Sequence, residues 1–398
     1  MTENMKRIYL LLALVGFTCS NAVAQKNPDT FALGKNNTKR VEMILPQVNG
    51  YNIYKADLHS HTAFSDGSLM PKARVLEAYN DGLDILAITD HLEYRTNEQM
   101  FLDYLKGYHK GKTPEAKNNL IHREAADKDG ILVDLNVPNE SAKKYGKRYG
   151  VLVIPGVEIS RHPDQYGHFN ALFIKDANKI YDPVIEESFR KAKAQGALIM
   201  HNHPGWRRST TDRNEWHEMV YKAGLIDGIE IINGRGSWPK LLNRCSEENL
   251  FVGAGTDSHT TTCYRDHFRT CTLIFAKECT EEAIKQAIIE RRTLAYGVDN
   301  VMGDAKLLAD LFNASVIAKV IGVSETGEKT ISVTNTTSIP FHIRKGKRNG
   351  MGLVLQPFSS GTIKVAADKE PYYYVLNMWC GDKATNTACN PRVLIDMD

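Results

Sequence analysis

Short, largely apolar runs recur along the chain: Ile53 to Leu58, Ile85 to Ile88, Val151 to Ile154, Phe169 to Ile174, Ala197 to Met200, Gly228 to Ile232, Phe251 to Ala254 and Cys271 to Phe275. Ile85-Leu86-Ala87-Ile88 is apolar throughout, which fits a strand covered on both faces, as in a parallel sheet. Helical patterns lie between the runs. Pro71 opens one, with apolar Val75, Leu76 and Tyr79 and with Gly82 as its stop; Pro is tolerated there because the first helical N–H has no partner. Pro183 to Gln195 carries Val184, Ile185 and Phe189 on one side and ends at Gly196. Further helices are predicted near Pro239–Asn249 and over Glu281–Arg292. Strands alternating with helices predict a parallel α/β barrel over residues 51–305.

Two stretches depart from that rhythm. Residues 95–150 are long, polar and charged, with helical segments near Pro114–Lys128 and Glu140–Lys147; they read as an insertion above the barrel mouth, either a lid or a packing appendage. From about Asp310 strands alternate with turns: Thr330–Val333, Phe341–Lys345, Gly352–Leu355, Thr362–Ala366, Tyr372–Asn377 and Val393–Asp396, punctuated by Gly327, Gly346, Gly350 and Gly361. Residues 310–398 are therefore expected to form a small antiparallel, sandwich-like β domain. Its aromatics Tyr372 to Tyr374 read as core-strand residues ahead of a carbohydrate platform.

The N-terminus adds a destination. Lys6 and Arg7 precede an apolar run, Ile8 to Phe17, that is too short to span a bilayer, and Ala22-Val23-Ala24 is a small-x-small cleavage site. Residues 1–24 are expected to be a signal peptide and residues 25–50 a linker, so the protein is expected to be exported and periplasmic, with no later membrane span. Composition changes little: 42% apolar and 24% charged residues allow a sizeable core, and a net charge of +3 argues neither for nucleic acid nor for an anionic membrane. None of the six cysteines beyond the signal lies in a Cys-x-x-Cys pair. Cys380 and Cys389 flank the loop Gly381–Ala388 and either clip it as a disulfide or stay reduced; the other four are expected to be small buried side chains.

The candidate chemistry lies where the apolar runs end. In Asp57-Leu58-His59-Ser60-His61 the two imidazoles are one residue apart, so a strand can aim both at one ion. Asp66 follows across a turn. Alone, this pair is equally well read as a polar strand end. The pattern repeats, however, at Thr89-Asp90-His91, at Glu158, at His168, at His201-Asn202-His203 and at Asp257-Ser258-His259. His59, His61, Asp66, His91, Glu158, His168, His203, Asp257 and His259 are nine candidate ligands, including six of the thirteen histidines. That is too many for one tetrahedral ion and suits two or three ions sharing carboxylates.

The motifs Asp57-Leu58-His59-Ser60-His61, Ile88-Thr89-Asp90-His91, Gly156-Val157-Glu158, His203-Pro204 and Gly255-Thr256-Asp257-Ser258-His259 resemble, in order, those of the PHP (polymerase and histidinol phosphatase) metallophosphoesterases. The resemblance covers roughly Tyr51 to Arg292, and Gly167-His168-Phe169-Asn170-Ala171 is similar to the phosphodiesterase branch that cleaves diesters derived from organophosphates. It implies a distorted (β/α)7 TIM-like barrel holding three divalent ions of zinc, manganese or iron. One would be held by His59, His61, Glu158 and Asp257. A second, bridged through Glu158, would take His168 and His203, and a third Asp66, His91 and His259. Asp66 stands where other members carry histidine, which makes the third site harder.

The expected reaction is hydrolysis of a small phosphoester, diesters ahead of monoesters. Water between two cations loses a proton near neutral pH and attacks phosphorus in line. Cations neutralise the phosphoryl oxygens; Arg161, Arg207, Arg208, Arg235 and Arg265 are candidates, Arg235 first among them because it lies between two glycines after a strand. Glu158 is the expected metal bridge, His201 either an acid or a strand-end hydrogen bonder, and Asp90 a residue that orients a ligand imidazole. An amidohydrolase-type metallohydrolase also opens a barrel with His-x-His, but the Thr-Asp-His and Asp-x-His motifs favour phosphoester chemistry. A non-catalytic module would not need the full ligand set.

Overall fold

The computed structural model describes residues 40–97, 134–161, 166–262, 267–346, 352–382 and 384–397. The expected signal peptide, the first part of the linker, most of the insertion with its helix at 114–128, and Arg265 and Cys263 lie outside the described residues.

Each apolar run forms a strand: β1 (Asn52–Asp57), β2 (Ile85–Ile88), β3 (Leu152–Ser160), β4 (His168–Leu172), β5 (Leu198–Asn202), β6 (Gly228–Asn233), β8 (Phe251–Gly255) and β9 (Cys271–Ala276), with a short β7 (Gly236–Ser237) after β6. The helices α1 (Pro71–Asn80), α2 (Val137–Tyr149), α3 (Ile185–Ala194), α4 (Glu215–Lys222), α5 (Leu242–Glu247) and α6 (Glu281–Ile289) alternate with them. The second helical segment expected in the insertion is α2; α4 had no counterpart in the expectation.

The sheet is mixed, where a parallel one was expected. β1–β2, β2–β3, β5–β6 and β6–β8 pair parallel, but β4 runs antiparallel to both β3 and β5. The segment 161–167 between β3 and β4 is too short for a helical crossover, so β4 must turn back along β3. The reversal matters for the site: it pairs His168, at the start of β4, with Ser160, at the end of β3. A histidine at a strand's beginning thus reaches the rim where the other strands end.

The ladder does not close into a barrel among the described residues. It runs from β9 through β1 to β6 and ends at β8. The edge of β8 is satisfied by a side chain, since Thr272 Oγ1 of β9 accepts from Ala254 N (2.8 Å) and donates to its carbonyl (2.9 Å). Between β8 and β1 there is one isolated bridge, Ser60 to Ser258. Asp57 links the two strand ends by accepting from His59 N (3.1 Å), Thr256 N (2.9 Å) and Arg269 Nη2 (2.7 Å). Gly255 permits the approach, for a Cβ there would lie 2.4 Å from His59 Cβ.

Beyond β9, strands β10 (Thr293–Gly297) and β11 (Asn300–Gly303) extend the sheet, followed by helix α7 (Ala305–Ser315). Two small antiparallel sheets follow. One orders β12 (Val316–Val323), β13 (Lys329–Asn335) and β16 (Ser360–Val365); the other orders β15 (Gly352–Leu355), β14 (Phe341–Arg344), β17 (Tyr372–Val375) and β20 (Arg392–Leu394). Tyr373 is buried in the core with Ile331, Ile343 and Val375, as a core-strand reading requires. The boundary expected near residue 310 falls inside α7, and β18 (Met378–Asp382) pairs parallel with β11 while β19 (Thr387–Cys389) pairs with β18, so the C-terminal region lends strands to the main sheet. Cys380 and Cys389 are register partners with Sγ atoms 3.5 Å apart, both as free thiols.

Candidate metal centre

The ends of β1, β2, β3 and β5, the start of β4 and the turn after β8 gather all nine candidate ligands. Glu158 stands at the middle, fully buried. Its Oε1 lies 3.1 Å from His168 Nδ1, 3.5 Å from His59 Nε2 and 3.8 Å from His203 Nε2; its Oε2 lies 2.9 Å from His91 Nδ1 and 3.4 Å from His61 Nε2. Asp257 Oδ1 is 3.0 Å from His61 Nε2 and 3.3 Å from His59 Nε2. Asp66 Oδ2 is 3.1 Å from His259 Nε2 and 3.4 Å from His91 Nε2.

Donor atoms within 4.8 Å of one another fall into four groups: His59–His61–Asp257, Glu158–His168–His203, His61–Asp66–His91–His259 and His59–His203–Glu230. The first three overlap the three sets expected, except that Glu158 is grouped only with His168 and His203, and His61 reaches the third set as well as the first. His61 Nδ1 and Glu158 Oε2 are buried and make no hydrogen bond of good geometry, although His91 Nδ1 lies 2.9 Å from that oxygen. An unpaired buried acceptor is costly, and a cation removes the cost. Imidazole and carboxylate donors in this mix suit zinc, manganese or iron.

The electrostatics agree. Burial pulls the His59 pKa down, but Asp257, Glu230 and Glu158 outweigh it and hold the imidazole well above its ordinary value. His203 and His259 are raised in the same way, and His91, beside Glu158 and Asp66, is raised to about 10. His61 goes the other way, lowered by burial and by the neighbouring His91 and His259. Burial raises Glu158 and Asp257, yet the surrounding imidazoles hold both well below the carboxylate range. The cage is a charge-balanced set whose protons a metal ion would displace.

Several supporting residues were not anticipated. Glu230, fully buried in β6, places Oε1 3.1 Å from His59 Nδ1, and its Oε2 accepts from His203 N at 2.8 Å. It therefore directs His59 Nε2 into the cage. A lone carboxylate inside Gly228-Ile229-Glu230-Ile231-Ile232 was the signal that could have found it. Asn202 donates to Glu158 Oε1 (2.8 Å) and to Asn170 Oδ1 (2.9 Å). Arg74, buried on α1, donates from Nε to His61 O (3.1 Å) and from Nη2 to Ser258 O (3.0 Å), clamping the two loops that carry His-x-His and Asp-x-His.

Other candidates lie elsewhere. Asp90 accepts from Thr62 N (2.7 Å), Thr62 Oγ1 (2.6 Å) and Ser65 Oγ (2.6 Å), so it fixes the turn leading to Asp66 instead of an imidazole. His201 pairs with Phe169 on the face of the sheet opposite Asn202; its Nδ1 is 2.9 Å from Tyr221 Oη and its ring stacks on Phe169 and His217. Arg161 is bound by Glu93 (2.6 Å) and Ser188 Oγ (3.1 Å). Arg235 lines a groove with Trp379 and Met302. Arg207 and Arg208 do lie beside the cage, lining a nook of about 60 Å³ with His168 and His203. A cavity of about 640 Å³ near the starts of β8 and β10 contains none of the nine ligands.

Residues 57–234 match the model of the PHP domain. A solved two-domain protein from Bacteroides vulgatus, described as containing a predicted PHP-like metal-dependent phosphoesterase, is 29% identical, with a TM-score of 0.74 over 89% of this chain and 99% of that one. An amidohydrolase from Chromobacterium violaceum (15% identity, 52% of this chain and 87% of that one) and a lesion-specific endonuclease from Pyrococcus furiosus (16%, 63% and 59%) match at TM-scores of 0.34 and 0.35, too low to bear on function. No curated protein matches significantly.

Proposed function

The chain carries a PHP domain at residues 57–234, and from that premise we propose that it is an exported, three-metal phosphoester hydrolase that prefers diesters to monoesters. The observation that carries the reading is Glu158, a buried carboxylate within 4 Å of five imidazoles. Bound divalent ions would supply Lewis acidity, lowering the pKa of water and neutralising phosphoryl oxygens. The chain's own residues do the rest. Glu158 and Asp257 balance charge between adjacent sites. Glu230 holds His59 in one tautomer, as a carboxylate behind a ligand imidazole does. Asn202 fixes Oε1 of Glu158, the oxygen that faces His59, His168 and His203. Zinc, manganese and iron all fit; Asp66 in the third set favours the harder two.

The preference for diesters rests on charge. A monoester dianion asks for more cations than a diester monoanion. Of the candidate arginines described, Arg161 is occupied by Glu93 and only Arg207 and Arg208 line the nook beside the ligands. Export rests on Lys6, Arg7, the apolar run to Phe17 and Ala22-Val23-Ala24; no helix among the described residues is long and apolar enough to cross a membrane.

Elemental analysis of the purified, metal-reconstituted protein, followed by bis-p-nitrophenyl phosphate against p-nitrophenyl phosphate, tests the proposal. We expect bound transition metal and faster turnover of the diester. Protein that retains no metal, or that turns over neither ester when loaded, overturns it; monoester-first turnover overturns the diester preference alone.

A further inference from the structure

The loop after β5 places an exposed indole and a cation against the metal cage. Trp206 is 42% exposed, yet its ring centroid lies 5.5 Å from that of His168 and 5.3 Å from that of His203. The Arg207 guanidinium lies 4.2 Å from the centroid of the same indole, and among the described residues no carboxylate pairs with it. Both residues line the nook beside the Glu158–His168–His203 set.

The arrangement is held in place before any ligand arrives. Trp206 N donates to His203 O (2.8 Å) and Arg208 N to Gly205 O (3.2 Å), so two turns follow one another. His203 and Arg207 carry φ of +27° and +53°, a left-handed region that side chains enter only when the surroundings require it. Gly205 packs so closely on Trp238 that a Cβ there would lie 2.1 Å from Nε1. Arg208 anchors the far end by donating to Asp212 O (2.8 Å). Arg207 covers one face of the indole, and what Trp206 leaves exposed beside His168 and His203 is apolar surface next to the donor atoms for an ion. A stacked guanidinium keeps its N–H donors available at its edge.

We infer that Trp206 and Arg207 form a specificity subsite that takes a planar ring in the second ester group of a phosphodiester monoanion. Trp206 stacks on the ring, and Arg207 meets the anionic oxygen. The inference rests on the diesterase reading and names its substrate class: diesters with an aryl or nucleobase substituent over diesters with small alkyl groups.

Two measurements test it. The first compares kcat/KM for bis-p-nitrophenyl phosphate, the p-nitrophenyl ester of thymidine 5′-monophosphate and methyl p-nitrophenyl phosphate, which share a leaving group and differ in the other substituent. Trp206→Ala is expected to lower the ring-to-methyl ratio by about tenfold, chiefly through KM, as loss of one aromatic stack does. Trp206→Phe should restore most of it, and metal content should stay at the wild-type value. Arg207→Ala is expected to raise KM for all three esters alike. The relative loss on the aryl and nucleoside esters separates the two sources of the ring. The second measurement is calorimetric binding of methylphenylphosphinate against dimethylphosphinate to the metal-loaded protein. These anions mimic diesters but have no ester bond to cleave. Wild type should bind the phenyl compound about tenfold more tightly, and Trp206→Ala should not. A ratio unchanged in Trp206→Ala in both measurements overturns the subsite. Ring-selective binding without hydrolysis of any ester overturns the diesterase reading and leaves the subsite standing.

Discussion

Two groups of histidines lie back to back across β4 and β5. On one face His168 and Asn202 look into the cage; on the other His201 stacks against Phe169 and His217. The residue type is the same and the environment is opposite. The cage histidines face Glu158, Asp257, Asp66 and Glu230, and the carboxylates raise His59, His91, His203 and His259. Behind the sheet, burial lowers His201 well below its ordinary value and His217 to about 4, and the nearby Arg208 and Arg244 add to the effect. A metal ligand here is recognised by the carboxylate beside it more than by the imidazole itself. A neutral, buried imidazole among arginines has nothing to gain from a cation.

Removing the central carboxylate tests this contrast most severely. In Glu158→Ala, five imidazoles lose their shared partner, and the proposed bridge between two ion sites goes with it. We expect diester turnover to fall by on the order of a thousandfold or more and bound metal to drop in elemental analysis of the same sample. Wild-type activity in this variant would end the metal-bridge assignment.

Glu230→Gln probes the same contrast one shell further out. The amide keeps the shape but cannot hold His59 by charge, and its N–H2 competes with the hydrogen bond from His203 N. Metal affinity or kcat/KM should fall by roughly 10- to 100-fold, measured by chelator competition and by steady-state assay, with the circular dichroism spectrum unchanged. Equal metal affinity in the variant would reduce Glu230 to a packing role.

These two carboxylates also mark how far the sequence could be read. Most of the nine candidate ligands were legible because they follow short apolar runs, and strand periodicity predicts where such a side chain points; His168, at the start of β4, reaches the same rim only because that strand runs backwards. The three ligand groupings followed from resemblance; the groups defined by distance share most of their members but place Glu158 only with His168 and His203 and let His61 join two of them. Glu230 was missed because it lies inside a strand, where a reader expects core. His201 was left open between an acid and a strand-end hydrogen bonder, and its contact with Tyr221 fits the second. His201 and His203 are two apart, as His59 and His61 are, but His203 has φ of +27°, and the backbone leaves the strand before reaching it. That turn aims His203 into the cage and leaves His201 behind the sheet. The mixed sheet was hidden because apolar run length does not encode strand direction; only the short β3–β4 connection did. The open ladder at β8 depends on one hydroxyl, Thr272, and on Asp57, neither of which announces itself in the sequence.

Stability against pH sharpens the contrast further. Between about pH 6.5 and 10 His91 is protonated in the metal-free fold and neutral in the unfolded chain, and the raised His59, His203 and His259 act in the same direction. The fold then binds more protons, so its stability must fall as pH rises through that window. The lowered His201 and His217 are neutral in both states there and contribute nothing. Metal-loaded protein has exchanged those protons for ions and gains affinity with pH. Thermal melts should therefore diverge: chelator-treated protein is expected to lose roughly a few degrees between pH 6.5 and 9, while reconstituted protein holds or rises. Parallel melts would show that the cage carboxylates do not hold protons on the imidazoles.

The smallest effect is expected on the far side of the sheet. His201→Phe replaces a buried neutral ring by another that can stack on Phe169 and His217. What it removes is the 2.9 Å contact between Nδ1 and Tyr221 Oη, and a buried hydroxyl left without that partner costs about 1–3 kcal/mol. A lower melting temperature is expected, with metal content unchanged and kcat/KM within about twofold of wild type. Because His201 is neutral in the folded and the unfolded chain well above its ordinary pKa of about 6.5, the loss should be the same at pH 8 and pH 9, and smaller at pH 6, where the unfolded wild-type imidazole takes up a proton that the fold refuses. A fall in kcat/KM that grew with pH while metal content held would return His201 to the reaction as a proton donor and undo the division between the two faces.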